Sequence, residues 1–255
     1  MNLELSSKAF IITGGTEGLG LALAQSLIAE GAKVAICGRR ADKVAEAAAS
    51  LGPNAFAVQT DVTVTEQLDA FFDQTLATFG RLDGVVNNAG RSAATPLLDS
   101  TDEEWREDFE LKVIAAVHLI RRAIPELIQN RGVILNILAV KGKAPDAGST
   151  PTAASRAAGL AMTKALSGEL APHGVRVNAI LVGLIKSGQW TRRADAMSMA
   201  HDDLYGAIVQ HQGIPLGRVG EASEFADLAT YLLSARASYL TGVGINLDGG
   251  LSPLP

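Results

Sequence analysis

Two polar residues spaced like one turn of a helix, Thr152 and Arg156, lie in a stretch of small residues that reads STPTAASRAAGLAMTKAL from position 149. Residues four apart share one face of a helix. A threonine hydroxyl can hydrogen-bond to a ligand but hardly serves as a base, and an arginine keeps its proton below a pH of about 12. The pair can therefore bind a polar ligand, but it cannot relay a proton by itself.

A glycine-rich turn, Thr13–Gly20, reads TGGTEGLG and lies between an apolar run and an amphipathic stretch. Glycines let the backbone turn sharply and approach a pyrophosphate, and a helix N-terminus offers free N–H groups and a partial positive charge. The strand–turn–helix context favours a dinucleotide phosphate site over a merely tight turn. The residues assigned to this site are Gly14, Thr16, Glu17, Gly18, Leu19 and Gly20.

The end of the second apolar run, which reads CGRR at positions 37–40, bears on the choice of dinucleotide. An acidic residue there would hold the adenine ribose 2′-hydroxyl, whereas an arginine suits a 2′-phosphate. Arg39 therefore favours NADP over NAD. Glu17 argues the other way, because it could repel that phosphate or occupy Arg39, so NAD stays an alternative. Arg40 is interpreted as a solvated surface charge.

Short apolar runs alternate with amphipathic stretches along nearly the whole chain. Such alternation predicts an α/β fold with a parallel sheet covered on both faces. The chain of 255 residues fits a single domain, 1–255. The predicted strands are Ala9–Ile12, Val34–Cys37, Ala55–Val58, Gly84–Val86, Gly132–Leu138, Val175–Ile180 and Val243–Leu247, and the predicted helices include Leu19–Gly31, Lys43–Leu51, Glu66–Phe79 and Glu103–Ile128.

The segment 187–217 interrupts this alternation. It contains Trp190, Met197, Met199, Tyr205 and three charged clusters. Long excursions from a compact domain are often lids, so we predict a helical lid insertion over the site. Tyr205 could bring a phenol into the site when the lid closes, although a packing role is the simpler interpretation of this aromatic residue.

Charge and hydropathy argue against several classes of protein. The net charge of −5 is spread along the chain, which indicates neither a nucleic-acid nor a membrane partner. No apolar run approaches the roughly 20 residues of a membrane span. The four histidines show no metal-ligand spacing, so no metal site is predicted. We expect a cytoplasmic protein whose partner is a small molecule.

Five motifs in order give the chain a resemblance to the short-chain dehydrogenase/reductase family over essentially its whole length. The resemblance implies a Rossmann-type, doubly wound parallel sheet of about seven strands and NAD(P) at the carboxyl ends of the strands. It also implies a homodimer or homotetramer. The motifs are the TGxxxGxG turn at Thr13–Gly20, Asp61-Val62, NNAG at Asn87–Gly90, Val177–Ile180, and Tyr239–Gly242 followed by Asp248–Gly250.

The resemblance also assigns residues to the nicotinamide and adenine sides of the cofactor. The family's PGxIxT reads VGLIKS at positions 182–187, which keeps a glycine, an isoleucine and a hydroxyl but loses the stiffness of proline. Binding residues are thus largely retained. Beyond the phosphate turn and Arg39, the residues implied are Asp61, Val62, Asn88, Ala89, Gly90, Arg156, Gly183, Ile185 and Ser187.

The same resemblance implies a catalytic tetrad, and all four of its positions are substituted. The family's serine, tyrosine and lysine align with Ala139, Thr152 and Arg156, and its asparagine aligns with Lys112, before Pro125. In the family mechanism, the tyrosine phenol exchanges a proton with the substrate oxygen while hydride moves to or from the nicotinamide. These four substitutions together exclude that ordinary mechanism.

Lys112 is the replacement acid that the alignment suggests. If its helix runs as in the family, its ammonium points into the site beside Arg156. A like charge and partial burial both lower the pKa of a lysine, which can make it an acid or a nucleophile near neutral pH. The alternative is a lysine that reaches solvent or pairs with an acid such as Asp108. A water held by Thr152 and Arg156 is another candidate donor.

Three further cations, Arg91, Lys141 and Lys143, follow strands that end at the same mouth. Each alone is explained as a solvated loop charge. Together they suggest a pocket that favours an anionic ligand such as a carboxylate.

Two functions remain after these observations. The first is an NAD(P)-dependent oxidoreductase that acts on a carbonyl or alcohol with a non-standard proton donor. The second is a catalytically inactive protein that binds a cofactor or metabolite. Retention of the nicotinamide-side residues favours the first, because a scaffold would not need Ile185 or Ser187.

Overall fold

Seven strands form the centre of the molecule, which the computed structural model describes over residues 2–188 and 199–255. The strands are β1 Ala9–Thr13, β2 Lys33–Gly38, β3 Ala55–Gln59, β4 Gly84–Asn87, β5 Val133–Ala139, β6 Arg176–Val182 and β7 Gly244–Leu247. All pairs are parallel, in the order β3-β2-β1-β4-β5-β6-β7. The predicted fold class is confirmed, and each predicted strand lies within two residues of its observed bounds. The order reverses between β1 and β4, where sheets of this kind bind ligands.

Helices flank the sheet and connect its strands. The α-helices of the described residues are α1 Gly18–Ala29, α2 Ala41–Leu51, α3 Thr65–Phe79, α4 Asp102–Phe109, α5 Ala115–Asn130, α6 Thr152–Leu170, α7 His201–Gln212 and α8 Ala222–Leu233. Short one-turn helices occur in several of the loops.

Successive residues of β1 serve opposite faces of the sheet, because side chains alternate along a strand. Phe10 and Ile12 pack in one core cluster with α1 and α8. Ile11, between them, packs in a second cluster with α3 and α5. The sheet is therefore covered on both faces, which explains why its strands are continuous apolar runs.

The predicted helix 103–128 is divided in the structure. Helix α4 begins with a capping box, in which Thr101 Oγ1 accepts from the Glu104 N–H and the Glu104 carboxylate accepts from the Thr101 N–H. A π-helical turn, Glu110–Ile114, then separates α4 from α5. Such turns are rare in proteins, and those that occur are often found at functional sites. This one carries Lys112, whose side chain is buried.

The predicted lid segment, 187–217, is described in part. Its C-terminal half contains α7, while Trp190 and Met197 lie outside the described residues. The two ends of the segment are joined, since Lys186 N–H donates to Gly220 O at 2.9 Å and Gly220 N–H donates to Leu184 O at 2.9 Å. The role of the segment as a lid stays a prediction.

The described part of the chain, residues 2–188 and 199–255, offers neither a membrane span nor a metal cluster. There, no helix has both the length and the apolar character needed to cross a bilayer. Within the same residues, no three histidine, cysteine or acidic side chains converge as metal ligands. The single cysteine, Cys37, is buried on β2, and burial raises the pKa of its thiol to about 12.

Candidate active site

A groove of about 770 Å³ runs along the carboxyl ends of the strands. Its walls include almost every residue that the sequence assigns to the cofactor; only Gly20 lies outside the lining. Their role in binding a cofactor stays a prediction. The assigned residues that line the groove are Gly14, Thr16, Glu17, Gly18, Leu19, Arg39, Asp61, Val62, Asn88, Ala89, Gly90, Arg156, Gly183, Ile185 and Ser187.

The phosphate turn is locked to the NNAG motif by hydrogen bonds. Asn88 Nδ2 donates to Thr13 O and to Gly14 O, each at 2.9 Å. Thr13 Oγ1 accepts from the Asn88 and Ala89 N–H groups at 3.1 and 3.0 Å. A Cβ at Gly20 would lie 2.4 Å from Gly14 O and 2.6 Å from Asn88 Nδ2. Gly20 therefore contributes by its size, from behind the groove.

The turn fits a pyrophosphate. Gly14 and Gly18 have φ angles of +64° and +57°, a backbone region that residues with side chains rarely adopt. Helix α1 begins at Gly18, and its N-cap, Glu17, makes no side-chain capping bond. Its first N–H groups thus receive no cap from that side chain, which is the arrangement that binds phosphate at helix N-termini.

At the adenine end of the groove, Glu17 pairs with Arg40 at 2.6 Å. Arg40 keeps about half of its side chain exposed, in line with its interpretation as a surface charge, but the arginine that pairs with Glu17 is Arg40 and not the expected Arg39. Neighbouring side chains at a strand end diverge, so the sequence alone could not decide which arginine Glu17 meets. The exposed Arg39 lines the groove and forms no ion pair within the described residues.

Asp61 and Val62 follow β3 and line the groove. Asp61 Oδ1 accepts from the Thr63 N–H at 3.0 Å and from Thr63 Oγ1 at 2.7 Å. This local turn fixes the orientation of the carboxylate. Val62 is buried and forms part of the floor.

The nicotinamide-side residues follow β6. A Cβ at Gly183 would lie 2.6 Å from the Asp248 Cβ, so only glycine lets the terminal DGG motif pack here. A Cβ at Gly18 would lie 3.4 Å from the Ser187 Cβ. Ser187 is therefore against the phosphate turn, and the two halves of the groove meet at this point.

Three of the four tetrad-aligned residues, Ala139, Thr152 and Arg156, line the groove, and Lys112 lies behind Thr152. Lys112 Nζ donates to the Asp108 carboxylate and to Thr152 Oγ1, the latter at 3.0 Å. Thr152 Oγ1 also accepts from the Ala93 N–H at 2.8 Å. The side chains of Lys112 and Asp108 are each only 1% exposed. The buried lysine is thus linked to the groove through one hydroxyl.

Lys112 combines two of the interpretations that the sequence left open. It pairs with Asp108, yet its side chain does not reach solvent. Burial, and then the charge of Arg156, lowers the pKa of Lys112 to about 8, although Asp108 opposes the shift. The charge of Arg91 also lowers the pKa of Lys112, by a smaller amount. The Lys112 ammonium can therefore release a proton near physiological pH.

Arg156 is held in place by the backbone. Its Nη1 donates to Ile137 O at 2.7 Å, and a Cβ at Gly90 would lie 2.8 Å from its Nη2. Burial lowers its pKa to about 10, so it stays charged at neutral pH. Its buried Nε meets no hydrogen-bond partner among the described residues. A polar ligand in the groove is a suitable partner for this donor.

One residue of this cluster escaped the sequence interpretation. Ser155 Oγ donates to Asp108 Oδ2 at 2.6 Å, while Asp108 Oδ1 faces Lys112. The sequence suggests Asp108 only as a partner for Lys112. The four-residue spacing of Asp108 and Lys112 was a usable signal, but nothing in the sequence indicated that Ser155 faces α4.

The three cations at the mouth are not grouped as predicted. Arg91 lines the groove but pairs with Glu107 at 2.7 Å, and Lys141 lines it but pairs with Asp146 at 2.9 Å. Lys143 lies outside the groove lining, and its Nζ donates to Asn246 Oδ1 at 3.1 Å and to a backbone carbonyl at 2.7 Å. Each loop cation thus has a partner of its own.

Tyr205 is not placed to act as a proton donor in this arrangement. It lies on α7, outside the groove lining, with Lys186 Nζ 5.5 Å from its ring centroid. This contact is a cation–π interaction at the edge of the predicted lid segment. The packing interpretation of this residue is the one that the geometry favours.

Comparisons with known proteins cover nearly the whole chain. A family model described as enoyl-(acyl carrier protein) reductase matches residues 14–252. An uncharacterized oxidoreductase of Mycobacterium bovis is 37% identical over 255 residues, covering 96% of this chain and 97% of that protein.

Two solved structures are also similar. An NADPH-bound short-chain oxidoreductase from Pseudomonas aeruginosa PAO1, described as containing an atypical catalytic center, has a TM-score of 0.92 and 33% identity, covering 98% of this chain and 99% of that one. L-sorbose reductase from Gluconobacter frateurii, complexed with NADPH and L-sorbose, has a TM-score of 0.95 and 30% identity and covers 100% of both chains.

Proposed function

Because the chain belongs to the short-chain dehydrogenase/reductase family, we propose that it is an NADP(H)-dependent oxidoreductase that interconverts a carbonyl compound and an alcohol. Lys112, acting through Thr152, is the proton donor in this proposal. The observation that carries it is the 3.0 Å contact between Lys112 Nζ and Thr152 Oγ1 at the wall of the groove.

The groove suits the cofactor on three sides. The glycine turn would hold the pyrophosphate, Arg39 a 2′-phosphate, and the Gly183–Ser187 side the carboxamide. When bound, the nicotinamide supplies or accepts a hydride at the substrate carbon. The NADPH in the two similar structures supports the preference for NADP that Arg39 predicts.

The hydrogen bonds of Thr152 define the direction of proton transfer. A hydroxyl has one hydrogen to donate and two lone pairs to accept. Both lone pairs of Thr152 Oγ1 are engaged, because this oxygen accepts hydrogen bonds from Lys112 Nζ and from the Ala93 N–H. No acceptor among the described residues takes its hydrogen, which is therefore available to a ligand in the groove.

Reduction then moves one proton along two hydrogen bonds. The carbonyl π bond breaks as hydride adds to carbon and the Thr152 hydrogen adds to oxygen. Thr152 Oγ1 takes a proton from the Lys112 ammonium in the same step, so the threonine never has to carry a full negative charge. Oxidation of the alcohol runs through the same contacts in reverse.

The other two tetrad-aligned residues have supporting roles in this scheme. Arg156 keeps its charge at neutral pH, so it provides a positive charge and a donor for a ribose but no proton. Ala139 offers no hydroxyl to the substrate oxygen. Thr152 therefore both holds that oxygen and protonates it.

The chemical class of the substrate is a narrower proposal. An anionic substrate would depend on Arg91 and Lys141, each of which already has a carboxylate partner. Binding assays with matched neutral and carboxylate compounds decide the point, and equal affinity for the two would remove the anionic preference.

One experiment tests the function as a whole. The protein is titrated with NADPH and NADH by fluorescence, and absorbance is then followed with aldehydes, ketones and keto acids. We expect NADPH to bind more tightly than NADH and a carbonyl compound to be reduced. Cofactor binding without turnover of any carbonyl compound would instead support the inactive binding protein. Failure to bind either dinucleotide would rule out the redox function.

A further inference from the structure

We propose that Asp108 and Ser155 are positioning residues that hold the Lys112 ammonium against the Thr152 hydroxyl. This inference rests on the proposed function, in which Lys112 supplies the proton. It assigns a task to a carboxylate and a hydroxyl that do not themselves touch the groove.

The Asp108 carboxylate joins two separate elements of the fold. One oxygen accepts from Lys112 in the π-helical turn, and the other accepts from Ser155 Oγ on α6 at 2.6 Å. Thr152 lies on α6, one helical turn before Arg156. The acceptor that fixes Lys112 is thus anchored to the same helix as the hydroxyl that receives its proton.

The Ser155 hydrogen has two acceptors within reach. Thr152 O lies 3.0 Å from Ser155 Oγ, whereas Asp108 Oδ2 lies 2.6 Å away. A hydroxyl has only one hydrogen, and its bond to an ionised carboxylate is the shorter and stronger of the two. Ser155 therefore fixes the rotation of the Asp108 carboxylate.

A lysine needs such fixation more than most side chains do. Its four-carbon stem has many rotamers, and its ammonium is a point charge without a preferred plane. The Lys112 ammonium donates to two acceptors, one oxygen of Asp108 and Thr152 Oγ1. These two bonds orient the ammonium in a site where the lysine side chain is almost fully buried. Without Asp108, only the threonine would orient it.

The charges around Lys112 also show why the carboxylate matters. Arg156 faces it from α6 and Arg91 from the loop after β4, and both lower its pKa, while Asp108 from α4 raises it. Removal of the Asp108 charge leaves burial and two cations unopposed. Lys112 would then lose its proton at a lower pH and would be a poorer donor at neutral pH.

Asp108→Asn tests the inference because it keeps the size of the side chain and one acceptor oxygen, but removes the charge and the second acceptor. We expect the pH above which carbonyl reduction declines to fall by about one unit or more. The NADPH dissociation constant should stay unchanged. Asp102→Asn, an exposed carboxylate at the start of α4, is the matched control and should leave the pH profile unchanged.

Ser155→Ala is the second variant, since it keeps both charges of the pair. We expect kcat to fall about tenfold through lost orientation, with little change in the pH profile. Ser155→Thr restores a hydroxyl and should recover most of the rate. Melting curves identify any variant that fails to fold, and NMR titration of isotopically labelled lysine reports the protonation of Lys112 without turnover.

The outcomes separate the two proposals. A wild-type rate that does not decline near pH 8 removes Lys112 as the donor, and the proposed function fails with it. The second outcome is a wild-type rate that declines near pH 8 as expected, while the Asp108→Asn pH profile and its Lys112 titration both coincide with those of the wild type. This outcome removes only the positioning role. A pH profile shifted to lower pH in Asp108→Asn, together with a lower kcat in Ser155→Ala, supports both Lys112 as the donor and the positioning role of Asp108 and Ser155.

Discussion

The phosphate turn, Thr13–Gly20, and the cluster of Asp108, Lys112 and Thr152 belong to two parts of one groove and its wall, and they are built from different kinds of contact. At the turn, Asn88 binds the carbonyls of Thr13 and Gly14, and space decides which residues fit. At the cluster, the bonds from Lys112 join side chain to side chain. A site whose shape is set by the backbone tolerates few amino-acid substitutions. A side-chain network can accept other residue types, provided that its charges are still paired and its hydrogen bonds still satisfied.

This comparison suits the positions at which the resemblance to the family implies substitutions. The turn requires glycine at several positions, because Gly14 and Gly18 have positive φ angles and a Cβ at Gly20 would meet Gly14 O and the hydrogen-bonded Asn88 amide. Of the four residues that the resemblance aligns with the tetrad, Lys112 and Thr152 are joined by a hydrogen bond, and the charge of Arg156 lowers the pKa of Lys112. The proposal that the protein is a working oxidoreductase depends on that arrangement.

Thr152→Val should have the largest effect. It removes the hydroxyl that joins Lys112 to the groove while keeping a similar shape, so we expect the reduction rate to fall by about 10² to 10⁴. Affinity for NADPH should be unchanged, and Thr152→Ser, which keeps the hydroxyl, should stay within about tenfold of the wild type. A Thr152→Val rate within tenfold of the wild type would contradict the relay.

Gly20→Ala tests the phosphate turn. The new Cβ would lie 2.4 Å from Gly14 O, so the turn must shift from the position that holds the pyrophosphate. We expect a loss of about 1–3 kcal/mol of binding free energy, which is a roughly 5- to 150-fold weaker affinity. NADPH and NADH should weaken equally in fluorescence titrations. Gly168→Ala on α6, where nothing lies within 4 Å, is the control and should bind as the wild type does. Unchanged affinity in Gly20→Ala would show that the turn does not hold the dinucleotide.

Arg39→Ala should separate the two dinucleotides. A bond to a charged group contributes about 1.5–3 kcal/mol, so loss of the guanidinium should weaken NADPH about 10- to 100-fold. Affinity for NADH should hardly change. Equal weakening of both cofactors would contradict a 2′-phosphate contact at Arg39.

Glu17→Gln should have the smallest effect. Glu17 lines the adenine end and pairs with the half-exposed Arg40. Loss of its negative charge should tighten NADPH about two- to fivefold and leave NADH unchanged, as suits an exposed charge. A tighter NADH alone, measured in the same titration, would mean that Glu17 does not act on the 2′-phosphate.

The fold could be predicted almost completely from the sequence. Apolar runs such as 133–139 are typical of strands buried on both faces, which need no polar alternation. The π-helical turn at Glu110–Ile114 could not be predicted, since hydrophobic periodicity does not report a single widened turn. That turn carries Lys112, so the least predictable part of the fold lies at the centre of the candidate site.

The candidate site was predictable where local sequence determines geometry. Gly14 and Gly18 belong to a turn whose function follows from backbone shape alone. The partners of charged side chains depend on packing between distant segments, as the pairing of Glu17 with Arg40 and of Ser155 with Asp108 shows. Such contacts have no local signature in the sequence.

The pH dependence of carbonyl reduction at saturating NADPH tests the central claim most directly. The donor must be protonated, and the pKa of Lys112 is lowered to about 8. We predict a reduction rate that is constant below about pH 7 and falls about tenfold per pH unit well above pH 8, with the opposite trend for alcohol oxidation. A reduction rate that stays level or rises up to about pH 10 would contradict Lys112 as the source of the proton.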